Sequence, residues 1–332
     1  MGRTRDRHLK ITLPETQVML ILADPDKAFR YARFPNNGVG LMRMEFIINN
    51  SIKIHPMALY HFEQLKEPEV KKQIEILTHH FPNKKDYFIY KLAEATAKIA
   101  ASFYPKDVIV RMSDFKSNEY AGLIGGTNFE PNEQNPMIGF RGASRYSHPL
   151  YKEAFTLECA AMKLVREDMG FSNIKLMLPF VRTVKEATKV IDVMHDNGLV
   201  RGKNGLELYM MLEIPSNALQ AEEFAKYFDG FSIGSNDLTQ LTLGADRDSE
   251  LLSDIFSPFE PTVMQLIKMA IEKAKTAGVK IGLCGQAPSD YPEYSQFLVD
   301  CGINSISFNP DALIKGIANI NLAETKNRTA SK

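Results

Sequence analysis

Short, almost continuously apolar runs alternate with longer segments of helical periodicity along most of this chain. The runs Gly38-Val-Gly-Leu-Met42, Val108-Ile-Val-Arg111, Met137-Ile-Gly-Phe-Arg141 and Ile174-Lys-Leu-Met-Leu178 read as strands. So do Leu206-Glu-Leu-Tyr-Met-Met-Leu212, Phe231-Ser-Ile-Gly234, Val279-Lys-Ile-Gly-Leu283 and Ser305-Ile-Ser307. Apolar runs of this length are expected of strands covered on both faces. Between them, Thr183 to Asn197 starts at a threonine cap with Glu186 three residues on and stops at Gly198. Pro261 to Ala277 carries Val263, Leu266, Ile267 and Ala270 on one face and stops at Gly278.

Strands alternating with helices predict a parallel sheet. Eight of them predict an α/β fold, a TIM (β/α)8 barrel. An open doubly wound sheet is less favoured, because no Gly-x-Gly-x-x-Gly turn follows an early strand. The stretch of about 50–105 exceeds one crossover helix and predicts a helical insertion after the first strand. Residues 1–35 read as a lead-in, with the strand-like run Val18–Leu22 and a short helix after Asp24-Pro25-Asp26. The barrel then spans 36–320, and 321–332 read as a flexible tail.

Composition narrows the function classes. With 40 Lys+Arg against 40 Asp+Glu the net charge is zero, which removes the long-range attraction expected for nucleic acid or an anionic membrane. No apolar run approaches the roughly 20 residues that span a bilayer, and the polar stretch Met1–His8 lacks a signal-peptide core. Cys159, Cys284 and Cys301 are odd in number and widely spaced, so neither a disulfide framework nor a zinc site is expected. A cytoplasmic protein without nucleic-acid or membrane partners is the expectation.

Barrel enzymes collect their reactive groups at the C-terminal ends of the strands. Arg43, Arg111 and Arg141 stand at three predicted strand ends, and Glu213, Asp237 and Cys284 follow three others. Each has an ordinary explanation on its own: a surface arginine, a helix-capping carboxylate, a small buried thiol. Together they describe one mouth. Arginines match phosphate and carboxylate oxygens. Two carboxylates, completed by substrate oxygens and water, suit Mg²⁺, which stabilises an enolate as a Lewis acid. A thiol can move a proton. The combination suits a phosphorylated or carboxylated enol.

Several longer strings carry a resemblance. Gly38-Val-Gly-Leu-Met-Arg-Met-Glu-Phe46, Val110-Arg-Met-Ser-Asp-Phe-Lys-Ser-Asn-Glu-Tyr120, Gly139-Phe-Arg-Gly142, Met211-Leu-Glu-Ile-Pro-Ser216, Phe231-Ser-Ile-Gly-Ser-Asn-Asp-Leu-Thr-Gln240 and Gly282-Leu-Cys-Gly-Gln286 resemble, in order, the motifs of phosphoenolpyruvate-utilising enzymes. The string ending at Tyr120 is most similar to the pyruvate, water dikinase branch. The resemblance implies that Arg43 and Arg111 hold the phosphoryl group and that Arg141 neutralises the enolate. It implies Mg²⁺ on Glu213 and Asp237. Asn236, with the backbone around Ser235, would bind substrate carboxylate or phosphate, and Cys284 would exchange the methyl proton of pyruvate. The implied partners are pyruvate, phosphoenolpyruvate and a phosphohistidine domain; a homodimer through outer helices is an analogy.

None of the seven histidines follows a Thr-x-Gly-Gly stretch, and no Gly-rich nucleotide loop is evident. The expectation is therefore a barrel that acts with a phosphohistidine domain in cis or in trans and cannot make phosphoenolpyruvate from ATP by itself. A split-enzyme subunit, a non-catalytic phosphoenolpyruvate-binding protein and a lyase acting through an enolate stay open.

Overall fold

The structure is a computed structural model that describes residues 11–330. Eight parallel strands close into a barrel in chain order: β1 (Gln17–Leu22), β2 (Gly38–Arg43), β3 (Asp107–Arg111), β4 (Ile174–Leu178), β5 (Leu208–Leu212), β6 (Gly230–Ile233), β7 (Lys280–Leu283) and β8 (Ser305–Phe308). Strand residues alternate between two apolar layers. Val108 and Val110 of β3 join the core under the surrounding helices, whereas Ile109 packs inside the barrel with Ile21, Leu41, Met177, Tyr209 and Met211. The helix Val184–Asp196 is capped by Thr183, whose hydroxyl accepts from the Glu186 amide, and the helix Pro261–Thr276 has proline in its first turn.

The eight-strand barrel is as expected, but two of its members are not. The lead-in run is β1 itself: it pairs with β2 and, from Gln17↔Ser305 to Leu20↔Phe308, closes the barrel on β8. Met137–Arg141 forms no strand. No residue from 137 to 140 is buried, whereas β4 and β5 are buried at every position. The Phe140 amide donates to the Glu133 carboxylate rather than to a neighbouring strand. The two differences cancel in the count.

Between β2 and β3, hence after the second strand, lie the helices Met44–Ile47, Pro56–Tyr60, Pro68–Thr78 and Lys84–Phe103. The last helix, Leu313–Ala330, runs through most of the expected flexible tail. It is held there by buried Ile320 and Ala323, and its Glu324 carboxylate accepts from the amides of Glu15 (3.0 Å) and Thr16 (2.7 Å) ahead of β1. The polar stretch Met1–His8 and residues 331–332 lie outside the described residues. No helix among the described residues is long and apolar enough to cross a membrane.

Candidate active site

Because all strands are parallel, their C-terminal ends open on one face. A cavity of about 810 Å³ lies there, and all eight candidate residues line it. Arg43 and Arg111 are the last residues of β2 and β3. Glu213 follows β5 and Cys284 follows β7. Ser235, Asn236 and Asp237 form the first turn of the helix after β6. Arg141 arrives differently, from the loop ahead of the short helix Ala143–Tyr146.

Five charged groups form a continuous chain across the mouth. Arg111 pairs with Glu45 and with Asp114, each at 3.2 Å. Asp114 also receives Arg141, through Nε at 2.9 Å and Nη2 at 3.0 Å. Arg141 then reaches both oxygens of Asp237 at 3.2 Å. Burial alone would raise the Asp114 pKa, but Arg141 and Arg111 outweigh it and hold it below its usual value. Burial likewise opposes the charge on both arginines, and the carboxylates overcome it: Glu45 and Asp114 for Arg111, Asp114 and Asp237 for Arg141.

The backbone beneath Arg141 is specialised. Gly142 has φ +60°, and a Cβ there would come within 2.6 Å of the Pro179 carbonyl oxygen, so only glycine fits. The Arg141 guanidinium lies 4.3 Å from the centroid of the Phe180 ring. The amide of Phe180 donates to Glu213 Oε1 at 2.7 Å.

Glu213 is fully buried, and its Oε2 has no hydrogen-bond partner. Burial first, then Asp237 and Asp114, push its carboxyl up to about 8 against the pull of Arg141 and Arg111. A buried carboxylate oxygen facing a second carboxylate is costly unless a proton or a cation joins it. Gly234 makes room, since a Cβ there would lie 2.8 Å from Glu213 Oε2. Among the described residues no group of three or more His, Cys, Asp or Glu is arranged to hold a metal. A cation would therefore draw on two carboxylates and outside oxygens, a hard donor set that fits Mg²⁺. Asp237 would then have to share its oxygens with Arg141.

The remaining candidates differ in how far they are committed. The side chains of Arg43 and Asn236 make no hydrogen bond or ion pair among the described residues, and Arg43 is exposed at the rim. The Ser235 hydroxyl is buried without a partner. The Cys284 Sγ lies 3.7 Å from the Ile233 carbonyl oxygen. Burial pushes its thiol pKa up, outweighing the Ser232 hydrogen bond and the nearby Arg111. The resting group is thus a proton-bearing thiol.

Sequence reasoning passed over Glu45, Asp114 and Arg247, which also line the cavity. Glu45 and Asp114 sit inside strings already singled out, two and three residues beyond the strand-end arginines. A carboxylate that close to a strand end was the available signal. Arg247, 3.8 Å from Asp237, comes from the loop after the Ser235–Leu243 helix and had no comparable marker.

Comparison with known proteins follows the same lines. The chain is 56% identical over 307 residues to a phosphoenolpyruvate synthase of Synechocystis, a match that covers 92% of this chain and 38% of that protein. It is 53% identical over 300 residues to a phosphoenolpyruvate synthase of Helicobacter pylori, covering 90% and 37%. The chain therefore spans well under half the length of these curated relatives. A solved structure of Haloferax volcanii malate synthase has a TM-score of 0.50 at 11% identity, covering 94% of this chain and 76% of that one; this likeness concerns the fold alone. Residues 5–325 match the family described as PEP-utilising enzyme, PEP-binding domain, and the chain belongs to that family.

Proposed function

We propose that this barrel binds pyruvate and phosphoenolpyruvate and carries phosphoryl transfer between a phosphohistidine and the enolate of pyruvate, as the substrate-binding part of a phosphoenolpyruvate synthase. The observation that carries this reading is the chain Arg111–Asp114–Arg141–Asp237 beside the unpaired Glu213 Oε2 in one cavity. Two cations rigidly set by carboxylates, plus the free Arg43, match a ligand with a phosphate and a carboxylate.

In this reading Arg43 and Arg111 hold the phosphoryl oxygens, and Arg141 faces the enol oxygen as negative charge grows there. Groups fixed in advance by Glu45 and Asp114 need no reorganisation as the charge develops. Asn236 and Ser235 orient the substrate carboxylate. Glu213 and Asp237 would hold Mg²⁺, which when bound supplies Lewis-acid stabilisation of the enolate. The Cys284 thiol gives its proton to C3 of the enolate, forming the methyl group of pyruvate and leaving a thiolate close to Arg111 and Arg43. In the opposite direction the thiolate takes that proton back. Transfer needs the phosphohistidine in line with the enol oxygen, so the partner is a phosphohistidine domain, in cis or in trans.

The test is exchange of the pyruvate methyl protons in D₂O with Mg²⁺, followed by NMR. The expected result is exchange that Cys284→Ala abolishes while phosphoenolpyruvate binding persists. Exchange that is equally fast in Cys284→Ala, or absent from the unaltered chain, overturns the assignment.

A further inference from the structure

We propose that Glu158, which does not line the cavity, is the positioning residue that sets Asp114 between Arg111 and Arg141. Its starting point is the backbone where β3 ends. The Met112 amide still donates to the Met177 carbonyl at 2.9 Å. Beyond it the ladder stops, and two side-chain carboxylates take the next two amides. The Ser113 amide donates to Glu158 Oε2 at 3.2 Å, and the Asp114 amide donates to Glu45 Oε1.

Ser113 is gripped at every polar atom. Its hydroxyl donates to Glu158 Oε1 at 2.5 Å and lies 2.5 Å from the Tyr120 hydroxyl. Its carbonyl accepts from the Tyr146 hydroxyl at 2.7 Å. The Tyr151 hydroxyl closes the network, 2.9 Å from Glu158 Oε1 and 2.8 Å from the Tyr120 hydroxyl. Asp114, the next residue, then has to meet two guanidinium groups at once, at 3.2 and 2.9 Å. A displacement of about 1 Å in such a turn is enough to lose a productive geometry.

Packing does not explain Glu158. It lies on the helix Lys152–Lys163, where its neighbours three and four positions away (Ala154, Phe155, Ala161 and Met162) are all buried and apolar. Glu158 is 0% exposed and forms no ion pair among the described residues; every donor to it is neutral. Burial, despite those hydrogen bonds, pushes its carboxyl up to about 7. An apolar residue would serve the core better. What an apolar residue cannot do is accept the Ser113 amide and hydroxyl together.

Two measurements test this, of which only the second rests on the proposed function. The first is amide hydrogen exchange on the whole chain. Glu158→Leu is expected to lower protection at Ser113 and Asp114 while β4 and β5 keep theirs, and Glu158→Gln, which retains an acceptor for the Ser113 amide, is expected to restore it. The second is calorimetric titration with phosphoenolpyruvate. Glu158→Leu is expected to weaken binding about 10- to 100-fold, and Glu158→Gln to stay within about threefold. Glu158→Leu and Asp114→Asn should be strongly non-additive, since one acts through the other.

Unchanged protection at Ser113 and Asp114 in Glu158→Leu overturns the proposal, as does a uniform loss across the barrel or full additivity with Asp114→Asn. Should Glu158→Leu not fold, Ser113→Ala removes only the hydroxyl contact, and the same local loss of protection is expected of it. An unaltered chain that does not bind phosphoenolpyruvate contradicts the proposed function, and the exchange experiment alone then decides the role of Glu158.

Discussion

At the N-terminal ends of the strands, Lys175 lies 2.8 Å from both Asp107 and Glu207, and the gap left inside the barrel there is about 30 Å³. Burial opposes the Lys175 charge, and the two carboxylates more than compensate, raising its pKa. At the other end, Arg111, Asp114, Arg141 and Asp237 are paired at 3.2, 2.9 and 3.2 Å, yet they face about 810 Å³. Arg111 Nε, Glu213 Oε2 and Ser235 Oγ are buried there without hydrogen-bond partners. The lower cluster closes on itself and can only stabilise. The upper one keeps unused valence beside open space, which is the condition for binding something else.

The comparison breaks most visibly at Arg141. Arg141→Leu leaves Asp114 and Asp237 without their shared cation, so the expected loss is about 3–5 kcal/mol of stability, read by denaturant unfolding, together with loss of phosphoenolpyruvate binding. A variant that binds normally would show that the upper cluster is structural like the lower one.

A pH titration sharpens the account of the layer beneath the mouth. Glu158 faces Ser113, Tyr120, Tyr146 and Tyr151, with Glu45 adding a like charge. Its raised pKa means that between about 4.5 and 7 the folded chain holds this proton more tightly than the unfolded chain. Stability therefore falls as pH rises through that window. Relative to Glu158→Gln, the unaltered chain should lose on the order of 2 kcal/mol across it. Parallel curves would contradict the assignment.

Lys175→Met tests the lower cluster. Its partners are partly exposed, so a loss of about 1–2 kcal/mol is expected, with phosphoenolpyruvate affinity unchanged by calorimetry. A smaller effect still is expected of Gly234→Ala, whose Cβ would press within 2.8 Å of Glu213 Oε2. Mg²⁺-dependent phosphoenolpyruvate affinity should fall about tenfold with little change in unfolding.

These contrasts also show what the sequence made legible. Continuous apolar runs marked the barrel, because strands covered on both faces leave little else to read. Val18–Leu22 belonged to that class, but its position ahead of the obvious alternation disguised it as a lead-in. Met137–Arg141 imitated a strand, and only the partly exposed Ile138 and the Glu133 carboxylate on Phe140 show why it is a loop. Arg141 nonetheless reaches the mouth, because Gly142 turns the chain and Phe180 supports the guanidinium. Strand-end polar residues could be found one at a time. Their pairing could not, since Asp114 and Arg141 are 27 residues apart and Arg141 and Asp237 are 96 apart. Only the closed barrel brings such positions together, and Glu45, Asp114 and Arg247 had no visible role until it did.

The central claim is that the upper cluster is a phosphoenolpyruvate site, and a crystal structure of the chain with Mg²⁺ and phosphoenolpyruvate tests it most directly. The expected result is ligand in the cavity, its phosphate against Arg43 and Arg111 and the cation between Glu213 and Asp237. Phosphoenolpyruvate bound elsewhere, with Glu213 and Arg111 untouched, would contradict it.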